Sequence, residues 1–168
     1  MAYREGLGLA LDAGLDFVFT MDSDLSHDPR ELNRLRELAR DRGAAVGSRY
    51  VRGGGATEWN WMRRLNSYSV NLLTRLILGL RVRDASTGYR CFRRDALEKV
   101  NPSALTGRGY SIMEELSCRA ERAGYRLGEH PITFTGRQRG VSKTSLKQGL
   151  GVMGMLVRLR FGATRPTS

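Results

Sequence analysis

The 168-residue chain carries 28 basic against 17 acidic residues, a net charge of +11, and 40% of its residues are apolar. That length holds one domain with a core of its own and excludes two full ones. Two cysteines, Cys91 and Cys118, without a matching histidine set, exclude a zinc cluster or a disulfide framework, and the uncharged run 149–157 is too short to cross a membrane. The basic excess is almost wholly arginine, whose planar fork suits phosphate oxygens, so the balance fits nucleic acid, anionic lipid or phosphorylated substrates, alongside a plain compositional bias toward arginine. No signal peptide is visible at residues 1–5, and the default compartment is the cytoplasm.

Residues 2–13 carry Leu7, Ala10 and Leu11 on one helical face, with Gly14 as the stop. A helix of this kind is the crossover of a βαβ unit, so a strand is expected upstream of it. Phe17-Val18-Phe19-Thr20-Met21 has the content of a short buried strand, and it runs straight into Asp22-Ser23-Asp24. Carboxylates at i and i+2 point to the same side of an extended backbone, so Asp22 and Asp24 can share one hard divalent ion that keeps open positions for phosphate and water. Alone, the triplet also describes a solvated turn. Its context favours the metal: Asp28-Pro29-Arg30-Glu31 reads as a capped helix start, Leu32, Leu35, Leu38 and Ala39 mark one face, Gly43 ends it, and Ala44 to Ser48 forms a second strand. The acids then lie beyond the carboxyl end of a strand, where open α/β sheets bind their ligands.

Residues 47–55 read as a flexible glycine-rich loop carrying Arg49 and Arg52. A helix follows the tryptophans Trp59 and Trp61, with Leu72, Leu73, Leu76 and Ile77 as apolar positions; on it Arg63 and Ser67 stand at i and i+4, able to hold one anion or to form a solvated face. Asp84 to Phe92 is a polar turn into a short strand, in which Asp84 is a candidate partner for an arginine near the site, or a turn-former with Ser86 and Thr87. Arg94 to Val100 is a short helix stopped by Asn101-Pro102, and Ser111 to Glu114 is a capping box that opens another through Leu116 and Ala120, with Met113 a core position. His130-Pro131 suggests an edge strand. Neither His27 nor His130 has sequence neighbours that would make it a ligand or base. Beyond Pro131 no acidic residue remains, and residues 145–160 place Leu146, Leu150, Met153 and Val157 at helical spacing, to cover the sheet or to lie on lipid.

Taken as an ordered series, Met21 to Pro29, Gly47 to Val51, Trp59 to Ser67 with Asn71, Asp84 to Phe92, Gly109-Tyr110-Ser111, and Phe134 with Arg137, Gly140, Ser142 and Lys143 resemble the dolichol-phosphate (polyprenol-phosphate) mannosyltransferases of family 2 of the glycosyltransferases. The resemblance implies an α/β, Rossmann-like GT-A fold of three layers, α/β/α. It implies a nucleotide-sugar donor, GDP-mannose, and a polyprenyl or dolichyl phosphate acceptor. By analogy Asp22 and Asp24 bind the donor diphosphate and Mg2+ or Mn2+, with Ser26 near the metal, while Arg49, Arg63, Ser67 and Arg137 hold the acceptor phosphate. Asp22, Asp24 and Arg137 would form the catalytic set.

The family's opening strands and helices, which build the base and ribose pocket, precede the point where this chain starts. The expectation is therefore an N-terminally truncated catalytic domain over residues 1–134 and a membrane-surface appendage over 135–168, peripheral at the cytoplasmic face. A truncated remnant or partner subunit that binds lipid phosphate without catalysis is the competing expectation. Nucleic acid is not an expected partner, because basic loops without interleaved aromatics or a reading motif lack the means to recognise it.

Overall fold

The computed structural model describes residues 2–107, 109, 111–136 and 160; the expected C-terminal amphipathic helix and Arg137 lie outside them. The elements run α1 (Ala2–Asp12), β1 (Phe17–Thr20), a 3-10 turn at Pro29–Glu31, α2 (Leu32–Arg42), β2 (Ala44–Ser48), β3 (Gly55–Ala56), α3 (Trp61–Leu78), β4 (Arg90–Arg93), α4 (Arg94–Val100), α5 (Ser111–Arg122), β5 (Gly128–Pro131) and β6 (Thr133–Phe134).

Alternation along the short strands divides the core. Val18, Ala44 and Phe92 face a layer formed by Leu7 of α1, Leu97 and Val100 of α4, and Met113, Leu116 and Ala120 of α5. Ala45 and Cys91, one residue out of phase, face Leu35 and Ala39 of α2 on the other side. Period-two burial in the sheet and period-3.6 burial in the helices thus meet as three layers, α/β/α. Cys91 and Cys118 are buried free thiols within these layers.

The strand order, β1-β4-β2-β5, departs from a local reading. The strand, acidic loop, helix, strand unit forms, but β1 and β2 are not neighbours. β4 inserts between them, antiparallel to both, with Thr20 and Val46 each opposite Arg90. β5 pairs parallel with β2 at the edge of the sheet, where Pro131 removes no needed donor. The glycine-rich segment is less free than its composition suggests, because Gly55–Ala56 pairs with Thr133–Phe134 in a two-stranded ribbon. Asp28 caps the turn that leads into α2, as the sequence suggests. Asp28 accepts from the Arg30 amide at 2.9 Å, while Glu31 turns to His130 Nε2 at 2.7 Å.

Gly43 closes α2 at φ +85°, and a Cβ there would sit 2.2 Å from Cδ1 of Tyr125. Both backbone conformation and space demand glycine. Gly43→Ala is expected to cost roughly 3 kcal/mol or more, combining left-handed strain with overpacking, as a lowered urea midpoint will show.

Glu114 is buried on α5 with Oε2 unpartnered, and burial pushes its carboxyl up to about 7 against the pull of Arg90. A folded-state value above the ordinary 4.5 means that stability is full below about pH 4.5 and falls as the pH rises through about 7. The loss is on the order of 3 kcal/mol. Urea titrations at pH 5 and pH 8 should show most of that drop in the parent chain, and Glu114→Gln should remove it.

Candidate active site

Because β4 runs antiparallel between β1 and β2, its amino end meets their carboxyl ends. The acidic loop after β1, Arg49 after β2 and the turn before β4 therefore emerge together at one end of the sheet. Thr20 Oγ1 donates to Gly88 O at 2.7 Å, and Gly47 N donates to Tyr89 O at 2.9 Å, tying the turn to both neighbouring strands.

The acidic loop is braced from inside. Asp24 Oδ1 accepts from the Ser26 amide at 3.1 Å, an Asx turn that carries Leu25 at φ 63°. Asp22 N–H donates to His27 Nδ1 at 3.3 Å. An accepting Nδ1 requires the neutral ring with its proton on Nε2. Burial lowers the His27 pKa and so favours that state, although Asp22 and Asp24 pull it upward. The ring stacks on Tyr89 with centroids 4.7 Å apart and meets the edge of Phe134 at 5.5 Å. Tyr89 Oη donates to Asp28 O at 2.7 Å, and Thr135 N donates to Ser26 O at 3.1 Å. The sequence marked His27 as lacking company; its company comes from residues 62 and 107 positions away.

Arg49 and Asp84 form a forked pair. Nε reaches Oδ2 at 2.7 Å, Nη2 reaches Oδ1 at 2.8 Å, and Nη2 also donates to Ser86 Oγ at 2.9 Å. Asp84 is fully buried, and the pairing anticipated for it in the sequence is formed. Burial works against the Arg49 charge, but the hydrogen bond and charge of Asp84 outweigh it and hold the guanidinium above its usual range. The turn carrying Asp84 is pinned throughout. Glu129 accepts from the Arg83 and Asp84 amides at 3.0 and 3.2 Å, and Asn71 accepts from Ala85 N at 3.1 Å while donating to Arg83 O. Arg90, fully buried, donates to Thr87 O, Ala85 O and Ser117 Oγ.

Arg49, Arg63 and Ser67 come together through aromatic residues. Arg49 lies 5.6 Å from the Trp59 ring centre and Arg63 4.6 Å, so both guanidinium groups contact one indole. Tyr50, 5.2 Å from Arg49, makes a 2.7 Å hydrogen bond with Ser67 Oγ. Among the described residues Nε and Nη2 of Arg49 are committed to Asp84 and Ser86, leaving Nη1 for a ligand. Trp59, Phe134, His27, Glu129 and Arg90 were not marked as site residues by sequence; an indole between two arginines has no signature in spacing.

Among the described residues no cluster of three or more His, Cys, Asp or Glu side chains is poised to hold a metal. The carboxylates of Asp22 and Asp24, both half-buried, supply hard oxygen donors. Magnesium commonly takes only one or two carboxylates and completes its shell with phosphate and water, so this pair fits such an ion. Two further observations agree. The Ser26 hydroxyl is enclosed and unpartnered, and a Cβ on Gly88 would lie 2.7 Å from Asp22 Oδ1, so the glycine leaves this carboxylate its room.

Residues 2–100 match the family described as glycosyl transferase family 2. The chain is 44% identical over 146 residues to a polyprenol monophosphomannose synthase of Mycolicibacterium smegmatis, a match covering 86% of this chain and 55% of that protein. It is 38% identical over 144 residues to an undecaprenyl-phosphate mannosyltransferase of Micrococcus luteus, covering 86% of this chain and 59% of that one. The chain thus spans somewhat over half the length of these relatives. With a mixed α/β sheet consistent with a GT-A, Rossmann-like fold, the chain belongs to family 2 of the glycosyltransferases.

Proposed function

We propose that the chain transfers a hexose, mannose from GDP-mannose, to a polyprenyl phosphate with inversion at the anomeric carbon. The observation that carries this reading is the placement of two oppositely charged sets at one end of the sheet. Asp22 and Asp24 stand on one side, Arg49, Arg63 and Ser67 on the other, and the charges of Asp22, Asp24, Arg49 and Asp84 all act on the single His27 ring. The names of the two relatives, a polyprenol monophosphomannose synthase and an undecaprenyl-phosphate mannosyltransferase, support mannose and a polyprenyl phosphate as the joined groups.

A phosphate monoester is ionised near neutral pH, so its oxygen attacks the anomeric carbon without a general base. The new bond joins that carbon to the acceptor oxygen, the bond to the donor diphosphate breaks, and GDP leaves with the electron pair. The electrostatic task is to bring two anions together. Arg63 and the remaining arm of Arg49 would neutralise the acceptor, and Ser67 would orient it. Asp22 and Asp24 would hold Mg2+ or Mn2+, which when bound supplies charge neutralisation for the leaving diphosphate. The neutral His27 ring fixes the backbone of Asp22 without adding a charge of its own. Arg137 would complete the acceptor set. The amino-terminal 134 residues would form the catalytic body and residues 135–168 a basic membrane-facing appendage at the cytoplasmic side.

The test is incubation of the chain with labelled GDP-mannose, polyprenyl phosphate and Mg2+ or Mn2+, followed by extraction of lipid-linked sugar. Transfer should require the metal, and Asp24→Ala should lower it by about a hundredfold or more. Binding of polyprenyl phosphate with no product under either metal would establish a non-catalytic lipid-phosphate binder instead.

Arg63→Ala should raise KM for the lipid phosphate by roughly tenfold, the scale of one charge-assisted hydrogen bond, with a smaller rise for Ser67→Ala. An unchanged KM for the acceptor in both variants would remove these residues from its site.

A further inference from the structure

Arg49 and Arg63 reach the same indole but are held there in different ways. Arg49 is fixed by its buried fork to Asp84 and its bond to Ser86, and it needs no aromatic neighbour to keep its place. Arg63 is exposed in the first turn of α3, and among the described residues its guanidinium has no ion pair or hydrogen bond; its described contact is the ring of Trp59, 4.6 Å away. A long side chain at an exposed helix position otherwise samples many rotamers, so the ring is what keeps Arg63 beside Arg49. Trp59 is itself firmly placed. Glu58 before it takes a left-handed φ of 61°, a conformation a non-glycine residue keeps where the surrounding fold imposes it. Asn60 after it caps α3, accepting from Arg63 N at 2.8 Å, and the ring meets Phe134 edge to face with centroids 5.7 Å apart. Trp59 Nε1 is enclosed without a partner among the described residues, so the indole serves here by its face and not by a hydrogen bond.

We propose that Trp59 is a positioning residue for the acceptor phosphate: its face holds the Arg63 guanidinium beside Nη1 of Arg49, so that two cations converge on one phosphate monoester. Two guanidinium groups gathered at one place repel each other, and the negative face of an indole offsets part of that repulsion before any anion arrives. A phosphate entering the site then meets Arg63 already ordered, and the loss of rotamer freedom no longer weighs on binding. Tyr50 closes the same corner, since its ring lies 5.2 Å from Arg49 and its hydroxyl is hydrogen-bonded to Ser67 Oγ. The inference rests on the reading of Arg63 as an acceptor contact and adds to it the residue through which that contact is made. Trp59 acts through Arg63 above all, because Arg49 is anchored independently.

The test is calorimetric binding of a short, water-soluble prenyl monophosphate to the full chain and its variants, a measurement that needs no turnover. Trp59→Leu should weaken binding about fivefold, and Trp59→Phe, which keeps an aromatic face, by less than about twofold. The deciding comparison is made in Arg63→Ala, where adding Trp59→Leu should cost less than about twofold further, because the arginine it positions is gone. A ring with only a structural role would lose the same factor in both backgrounds, and that result would overturn the proposal. A second readout leaves Trp59 in place. In Trp61→Phe, Trp59 is the sole tryptophan of the chain; saturating monophosphate should shift its emission, and Arg63→Ala should abolish the shift. Silent emission while calorimetry registers binding would overturn the proposal, and so would a parent chain that does not bind the monophosphate. So would a loss in Trp59→Leu confined to GDP, which would assign the arginines to the donor. Absence of labelled lipid-linked sugar in the transfer assay would defeat the sugar-transfer reading alone, since calorimetry reports on the phosphate site without it.

Discussion

The buried pair of Arg49 and Asp84 sets the terms for the rest of this structure. Removing both charges from water is costly, and the cost is offset only when geometry is good and the remaining polar groups are satisfied. Here Arg49 meets Asp84 with a two-armed fork, Ser86 takes an additional bond, and Glu129 and Asn71 hold the turn that presents the carboxylate. Arg90 supports the same turn from below. Burial lowers its pKa to about 10, so it stays charged at neutral pH and donates to two carbonyls of the turn. A turn held by so many contacts can position the end of β2 against the end of β1 with little freedom.

That rigidity is passed to the acidic loop. Gly88 stands in the turn pinned by Arg90 and lies close against the Asp22 carboxylate, while Tyr89, the next residue, stacks on His27. The imidazole in turn accepts from the Asp22 amide. The cationic and anionic halves of the site are thus built on one short stretch, residues 84 to 90, and a shift in either half would be felt by the other. For the proposed reaction, which would bring two phosphate groups together, fixing the relative position of the neutralising charges would be a large part of catalysis.

Local chemistry made much of this legible. The strand and helix patterns around Asp22 and Asp24, the helix from Trp61, the short helix after Arg93 and the helix opened by Ser111 all appear close to where periodicity and capping residues put them. Asp84 was open in sequence between an arginine's partner and a turn-former with Ser86 and Thr87, and the fork to Arg49 forms in the fold. The insertion of β4 between β1 and β2 was not legible, since a four-residue strand with every position but the last buried has no local mark of its direction. In sequence, Leu72, Leu73, Leu76 and Ile77 of α3 were marked only as apolar positions, and Leu73 and Leu76 prove exposed. A helical period shows that a face is apolar and says nothing of what lies against it.

Sequence alone determined the chemical inventory and its order: two carboxylates at a strand end, arginines on the next loop and helix, and a series of segments specific enough to indicate the family. Those depend on spacing along the chain, which the covalent backbone carries. Tertiary structure alone decided the partners. Burial beside Tyr89 and Phe134 favours the neutral form of His27, Arg63 joins Arg49 at the ring of Trp59, and α3 buries Asn71, Thr74 and Leu78 while leaving Leu65, Leu73 and Leu76 exposed. Each of these depends on contacts made across the fold, where burial and charge act through space and separation along the chain has no bearing.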